Sequence, residues 1–157
     1  MIVNLARIDD RLIHGQVVTV WSKEAKAERI IVCSDEVAMD EIRRNLLVQV
    51  APPGIKVNVL KVDKAIRVYH NPKYANDHVF YLFTCPRDVL TMVEGGVAIK
   101  SVNIGGMAFR EGKKQITKSV SVDDSDRLAF KKLNELGIEL EIRSVATDSK
   151  LNIMSKL

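Results

Sequence analysis

The sequence is poor in cysteine and aromatic residues and lacks any long apolar run or block of like charge. Cys33 and Cys85 are its only thiols, and each lies in an apolar stretch, Ile30-Ile31-Val32-Cys33 and Phe80-Tyr81-Leu82-Phe83-Thr84-Cys85. No Cys-x-x-Cys spacing occurs, which argues against zinc, dithiol redox chemistry and a structural disulfide; both read as small core-facing residues. One Trp, three Tyr and four Phe leave the core to aliphatic side chains. No apolar run approaches the ~20 residues of a membrane helix, and residues 1–6 are too short for the core of a signal peptide, so a cytoplasmic protein is expected. The 24 basic and 20 acidic residues are dispersed, the densest basic step being Lys113-Lys114 with Lys118 beyond. Dispersed charge of this kind is a solvated surface rather than a nucleic-acid stripe, although a net charge of +4 favours approach of an acidic or phosphorylated partner. Gly105-Gly106 is not a G-x-G-x-x-G fingerprint, so a dinucleotide cofactor is not expected.

What remains is a chain of 157 residues without internal repeats or linkers, read as one domain over 1–157. A single core of this size buries about 70% of the unfolded surface. Short β-branched runs alternate with amphipathic stretches. Strands are expected over residues 2–8, 29–34, 55–62, 78–84, 100–104 and 138–142, with a longer extended segment over 114–122 whose Ile116, Val120 and Val122 share a face. Between them, Val17, Val18, Trp21 and Ala25 form one helical stripe. A helix from Ser34 or Asp35 to about Val50 carries Val37, Ile42, Leu46 and Leu47, and a shorter one runs over 63–70. Pro86 opens a helix with Val89, Leu90 and Val93, and Asp123 opens one with Leu128, Leu133 and Leu136 inward. The tail over 147–157 adds a turn of helix. Such alternation gives an α/β open, mostly parallel sheet with helices on both faces. Ligands in these sheets bind beyond the carboxyl ends of the strands, so the 9–16 loop, Ser34-Asp35, Thr84-Cys85-Pro86 and Gly105-Gly106 are expected to converge.

The chemistry concentrates at Arg7-Ile8-Asp9-Asp10-Arg11-Leu12-Ile13-His14-Gly15-Gln16, where the first strand gives way to a helical pattern. His14 stands next to Gly15, which lets backbone approach a ligand, and before a helix start that favours an anion. Arg7 and Arg11 are cationic donors suited to phosphate oxygens. Imidazole can itself be the nucleophile; with an ordinary pKa near 6.5 and guanidinium neighbours, His14 is largely neutral at pH 7 and able to attack. Asp9 either holds the second ring nitrogen or orients Arg11, while Asp9 or Asp10 could equally cap the turn. Gln16 either donates to a phosphate or begins the helix. A lone imidazole among arginines repels cations, so no metal is expected. His70 suits a helix C-terminus, and His78, opening a strand, has no assigned role.

The first-loop sequence, continued through Val17, resembles the IIB components of the mannose/fructose/sorbose family of the bacterial phosphoenolpyruvate:sugar phosphotransferase system (PTS). The similarity extends through Ile30-Ile31-Val32-Cys33-Ser34-Asp35-Glu36, Val50-Ala51-Pro52-Pro53-Gly54, Tyr69-His70-Asn71-Pro72-Lys73-Tyr74, Val102-Asn103-Ile104-Gly105-Gly106-Met107 and Gln115-Ile116-Thr117-Lys118-Ser119-Val120-Ser121, with details most like the sorbose and mannose members. The resemblance implies a sheet of about seven strands, one antiparallel. It also implies that His14 takes a phosphoryl group from phosphohistidine on a IIA component and passes it to a hexose entering through membrane IIC and IID components. Arg7 and Arg11 match the family's phosphate-binding arginines and Asp9 its nearby carboxylate. Some members carry IIA and IIB fused by a flexible linker, whereas this sequence opens directly at the IIB strand. No cofactor is implied, the site of action would be the inner face of the cell membrane, and successive docking of partners suggests a fairly flat surface around the loop.

Two other readings compete. A histidine-phosphatase-type hydrolase also places a His-Gly pair after its first strand, but requires arginine directly before the histidine, where this chain has Ile13. A non-enzymatic module could use the same anion site for recognition alone.

Overall fold

Period-two alternation along the central strands is what builds the molecule. In β4 (His78–Phe83), Phe80 and Leu82 face one core while Val79, Tyr81 and Phe83 face another. A strand apolar on both faces must be covered on both, which the intervening helices accomplish. The computed structural model describes residues 1–15 and 17–157. The main sheet combines β1 (Ile2–Asp9), β2 (Arg29–Cys33), β3 (Lys56–Leu60), β4, β5 (Ser101–Gly106), β8 (Glu139–Ile142) and β9 (Leu151–Asn152) in the order β3-β2-β4-β1-β5-β8-β9. All neighbouring strands run parallel except β9, which is antiparallel to β8. This is the α/β architecture expected, with seven strands and helices on both faces.

A five-residue π-helical turn, Val17–Trp21, leads into α1 (Ser22–Ala25); with α2 (Asp35–Met39) and α3 (Glu41–Gln49) these cover one face. α4 (Val62–His70), α5 (Pro86–Glu94) and α6 (Asp124–Glu135) cover the other. The chain therefore leaves β1 and β2 toward one face and β4 and β5 toward the other. Connections therefore diverge at the neighbouring pairs β2–β4, β4–β1 and β1–β5, and crevices open along this part of the edge.

Several local expectations shift. The segment over 114–122 is not one strand: β6 (Lys114–Gln115) and β7 (Ser121–Val122) form a separate antiparallel hairpin. The Thr117 hydroxyl accepts the backbone N–H groups of Ser119 and Val120 at 3.3 and 3.1 Å, turning the chain back on itself. The antiparallel strand of the sheet comes instead from the tail, followed by a 3₁₀ turn at Ile153–Ser155. The helix expected over 35–50 breaks at Asp40, whose extended backbone and side chain, accepting from Arg43 N at 3.1 Å, start a new helix. That break changes the helical phase, so Val37 and Leu47 are buried while Ile42 and Leu46 are exposed. In α6 the inward stripe is Ala129, Phe130 and Leu133, leaving Leu128 and Leu136 exposed. Its phase is set by a capping box in which Asp123 and Asp126 each accept the other's backbone N–H. Among the described residues no helix is long and apolar enough to cross a membrane.

Candidate functional site

The polar end of β1 is held by burial rather than left in solvent. Arg7 and Asp9 are both 0% exposed, and the Asp9 carboxylate takes four N–H donors: Arg7 Nη2 at 2.9 Å, Arg11 Nε and Nη2 at 2.9 Å each, and Arg11 N at 3.2 Å. Asp9 therefore orients Arg11, as one of the alternatives anticipated, and also receives Arg7. Arg7 lies beneath the loop as a buried strut. Nη1 and Nη2 also donate to Asn103 Oδ1 and to the carbonyls of Arg143 and Ser144 at 3.1 and 3.2 Å, Nε has no partner among the described residues, and the guanidinium stacks 4.4 Å above the Trp21 ring. Arg11, by contrast, keeps 52% of its side chain exposed. The two arginines expected to share one task are thus separated by depth, and only Arg11 can meet an incoming oxygen.

Two glycines make the cluster possible. A Cβ on Gly105 would sit 1.9 Å from Arg7 Nη2, and one on Gly106 would sit 3.3 Å from Asp9 Oδ1 and 3.4 Å from Arg11 Nη2. The Gly-Gly pair is therefore a cradle for guanidinium groups. Asp10 ties the loop to the same strand: its backbone N–H donates to Gly106 O at 3.1 Å, and its side chain accepts from Ala108 N at 2.7 Å. Leu12 adopts a left-handed backbone, φ 61°, and Leu12 and Ile13 are buried in the core below. Burial of those two side chains overcomes a strain of about 1–3 kcal/mol and fixes where His14 emerges.

His14 Nε2 stands 3.6 Å from Asp9 Oδ2, and its side chain is 20% exposed. Among the described residues neither ring nitrogen has a hydrogen-bond partner. Burial lowers the His14 pKa from the ordinary 6.5, Asp9 works in the opposite direction, and Arg11 and Arg7 lower it further. Guanidinium charge is thus a secondary cause of the neutrality expected from the sequence; desolvation is the primary one. Gly15 is exposed, and a side chain there would touch nothing; Gln16 lies outside the described residues. His70 Nε2 is 2.8 Å from Gly95 O and His78 Nδ1 is 3.0 Å from Asn4 Oδ1, both at the opposite, amino-terminal edge of the sheet.

The four strand ends do converge, though not into a flat surface. The loop stands between two crevices that Asp10 borders on both sides. One, of about 460 Å³, opens beside Arg11, Met107, Lys118 and Ser144; the other, about 490 Å³, lies among Ser34, Thr84, Cys85, Arg87 and Asp88.

A family model described as "PTS system sorbose subfamily IIB component" matches residues 3–157. The chain belongs to this family of IIB components. It is 61% identical, over all of its length and 96% of the relative's, to the sorbose-specific EIIB component of Klebsiella pneumoniae. It is 63% identical over 98% of its length to the mannose-specific EIIAB component of Escherichia coli K12, of which it spans 48%. The crystal structure of the IIBSor domain of the sorbose permease from Klebsiella pneumoniae superposes with a TM-score of 0.97 at 62% identity, covering 99% of this chain and 96% of that one. As a PTS IIB component the protein is a protein-phosphohistidine:sugar phosphotransferase, transferring a phosphoryl group to sugar during uptake. In this IIB fold, sequence reasoning passed over Asn103 and Glu141, placed Trp21 only in a helical stripe, and named Gly105 only as part of a converging strand end. The readable signal was the pair of polar residues, Asn103 and Glu141, inside otherwise apolar strands.

Two measurements probe the geometry. Gly105→Ala forces a methyl group into the Arg7 guanidinium and is expected to destabilise the fold by about 1–3 kcal/mol, read as a lower urea midpoint; an unchanged midpoint would contradict the cradle. The His14 ring is expected to titrate below pH 6.5 by NMR, and Arg11→Gln to move the titration upward as a cationic neighbour is lost. Because the unfolded chain binds this proton more readily, the stabilisation from neutral His14 is present above about pH 6.5 and fades as pH falls through the depressed folded value.

Proposed function

We propose that His14 is the phosphoryl carrier of this IIB component, accepting from phosphohistidine on a IIA partner and donating to a hexose delivered through membrane IIC and IID partners at the inner face of a bacterial membrane. The observation that carries this reading is the state of His14: at the carboxyl edge of the sheet, with no hydrogen bond to either ring nitrogen, beside a carboxylate saturated by arginine. A neutral ring nitrogen attacks the phosphorus of the donor phosphohistidine. A nitrogen–phosphorus bond forms on His14 while the donor's breaks, and the donor ring recovers its electron pair. In the second step a sugar hydroxyl oxygen attacks phosphorus, the bond to His14 breaks with its electrons returning to the ring, and the hydroxyl proton is released.

Transfer of this kind needs alignment and charge stabilisation of a loose transition state more than proton transfer. Arg11 supplies both, since Asp9 fixes its Nε–Nη2 edge and leaves the outer part of the guanidinium exposed toward the equatorial oxygens. Arg7 and Asp9 support the site from below. A hydrolase reading is disfavoured by the placement of His70 and His78 on the far edge, which leaves no second histidine near the first among the described residues.

Incubation of His14→Ala with phosphorylated IIA is expected to leave no acid-labile phosphate on the chain while its circular dichroism stays native, since the ring makes no hydrogen bond that the fold uses. A His14→Ala chain that still takes up phosphate would overturn the proposal, and rapid release of inorganic phosphate by the wild type would favour the hydrolase. Arg11→Lys keeps the charge but loses the planar fork, and is expected to slow transfer by about 10- to 100-fold; wild-type kinetics would reduce Arg11 to a loop-ordering residue.

A further inference from the structure

Three neighbouring strands carry a polar row where a sheet normally carries aliphatic side chains. Arg7, Asn103 and Glu141 are register partners across β1, β5 and β8, and all three are buried. One residue further along the same strands, on the opposite face, the row is Ile8, Ile104 and Ile142. Burying polar and charged groups costs stability unless each finds partners, so a row of them in a sheet needs a reason beyond packing.

The hydrogen bonds link the row end to end, from Arg143 to the first loop. Arg143 Nε and Nη2 donate to the two Glu141 carboxylate oxygens at 2.8 Å each. The Asn103 amide donates to the same oxygens at 3.2 and 3.3 Å, which fixes its orientation and leaves Oδ1 to accept from Arg7 Nη1. Arg7 then donates to Asp9, and Asp9 accepts the fork of Arg11 with His14 Nε2 3.6 Å away. Trp21 closes the row from above, with Arg7 and Arg143 at 4.4 and 5.3 Å from its ring and its indole N–H donating to Ser144 O at 3.2 Å. Charges alternate along the series Arg143, Glu141, Asn103, Arg7, Asp9, Arg11, with one neutral amide as the hinge between the Arg143–Glu141 pair and the Arg7–Asp9–Arg11 triad.

We infer that Asn103 and Glu141 are positioning residues for phosphoryl transfer, setting the orientation of Arg7 and through it the placement of Asp9, Arg11 and His14. Neither touches the loop that partners approach, so both act on alignment and not on docking. The inference rests on the reading of His14 as the carrier. An Arg7 guanidinium released from Asn103 no longer fixes Asp9, and misalignment of about 1 Å at a transferring group costs as much as 100-fold in rate.

The test follows transfer from phosphorylated IIA to the full chain by rapid quench, with the labelled residue mapped on the wild type and His14→Ala run alongside. Asn103→Leu is expected to lower the maximal transfer rate about 10- to 100-fold with an unchanged KM for phosphorylated IIA and native circular dichroism. The double exchange Asn103→Asp with Glu141→Gln keeps the buried charge count. It rebuilds the links from Arg143 to Arg7, because the new carboxylate on β5 accepts from Arg7 and from the new amide on β8, whose carbonyl accepts from Arg143; only the 3.4 Å bond from the Asn103 amide to Arg143 O is given up. That double variant is expected to return to within about threefold of the wild-type rate, which a purely structural role for the row does not predict. A folded Asn103→Leu chain with the wild-type maximal rate overturns the inference, as does a double exchange that fails to fold or transfers slowly. Label found away from His14 in the wild type overturns the carrier reading instead, so the two failures are distinct.

Discussion

A carboxylate at zero exposure, clamped between two guanidinium groups, is the constraint on which this site depends. Taking the ions of Asp9 and Arg7 out of water costs several kcal/mol each, and that cost is offset only when the lone pairs and N–H groups are filled with good geometry. Asp9 meets the condition with four donors; Arg7 meets it at Nη1 and Nη2, with four hydrogen bonds, while its Nε has no partner among the described residues. Everything around the pair follows from keeping that arrangement intact. Gly105 is a glycine because the Arg7 guanidinium occupies the space of its Cβ, and Trp21 lies where it can cap two cations at once. The loop can then project Arg11 outward and hold the partly exposed His14 beside Asp9 without moving its base.

The sheet topology turns this local cluster into a presented site. With β1 between β4 and β5, the first loop emerges at the centre of the carboxyl edge, and chain connections diverge on either side of it. The two crevices so formed leave the loop as a ridge rather than part of a plane. The β6–β7 hairpin stands over one side, bonded to the exit of β5 through Met107 and Ser119 at 2.9 Å. For a proposed carrier that meets a donor protein and then a membrane acceptor, a ridge with open flanks lets successive partners reach one imidazole, and no enclosed substrate pocket is needed.

Much of this was legible in order of residues. Uniform hydrophobicity over 78–83 marks a strand covered on both faces, and the strand–helix alternation gives the architecture, since both depend on local periodicity. Helical faces were read less well. Ile42, Leu46, Leu128 and Leu136 are apolar at helical spacing yet exposed, because Asp40 breaks one helix and the Asp123–Asp126 capping box sets the phase of another. Those polar caps decide which face is buried, and hydrophobic spacing cannot register a shift of one residue. The separate roles of Arg7 and Arg11 were also hidden. Four residues apart and of identical type, they differ only in depth, which depends on the strand's end lying under Trp21 and against β5.

By itself the sequence determined the fold class and the loop where ionisable residues crowd together, because periodicity and a dense cluster of charged residues are properties of neighbouring positions. Through its resemblance to IIB components it also pointed to the family and to His14. Only the tertiary structure decided that desolvation leads in lowering the His14 pKa, that Gly105-Gly106 is a cradle, and that Asn103 and Glu141 stand in register with Arg7. Those facts join position 7 to positions 103, 105 and 141, which lie 96 or more residues further along the chain and meet it only when parallel strands pair across crossovers, so no local pattern encodes them.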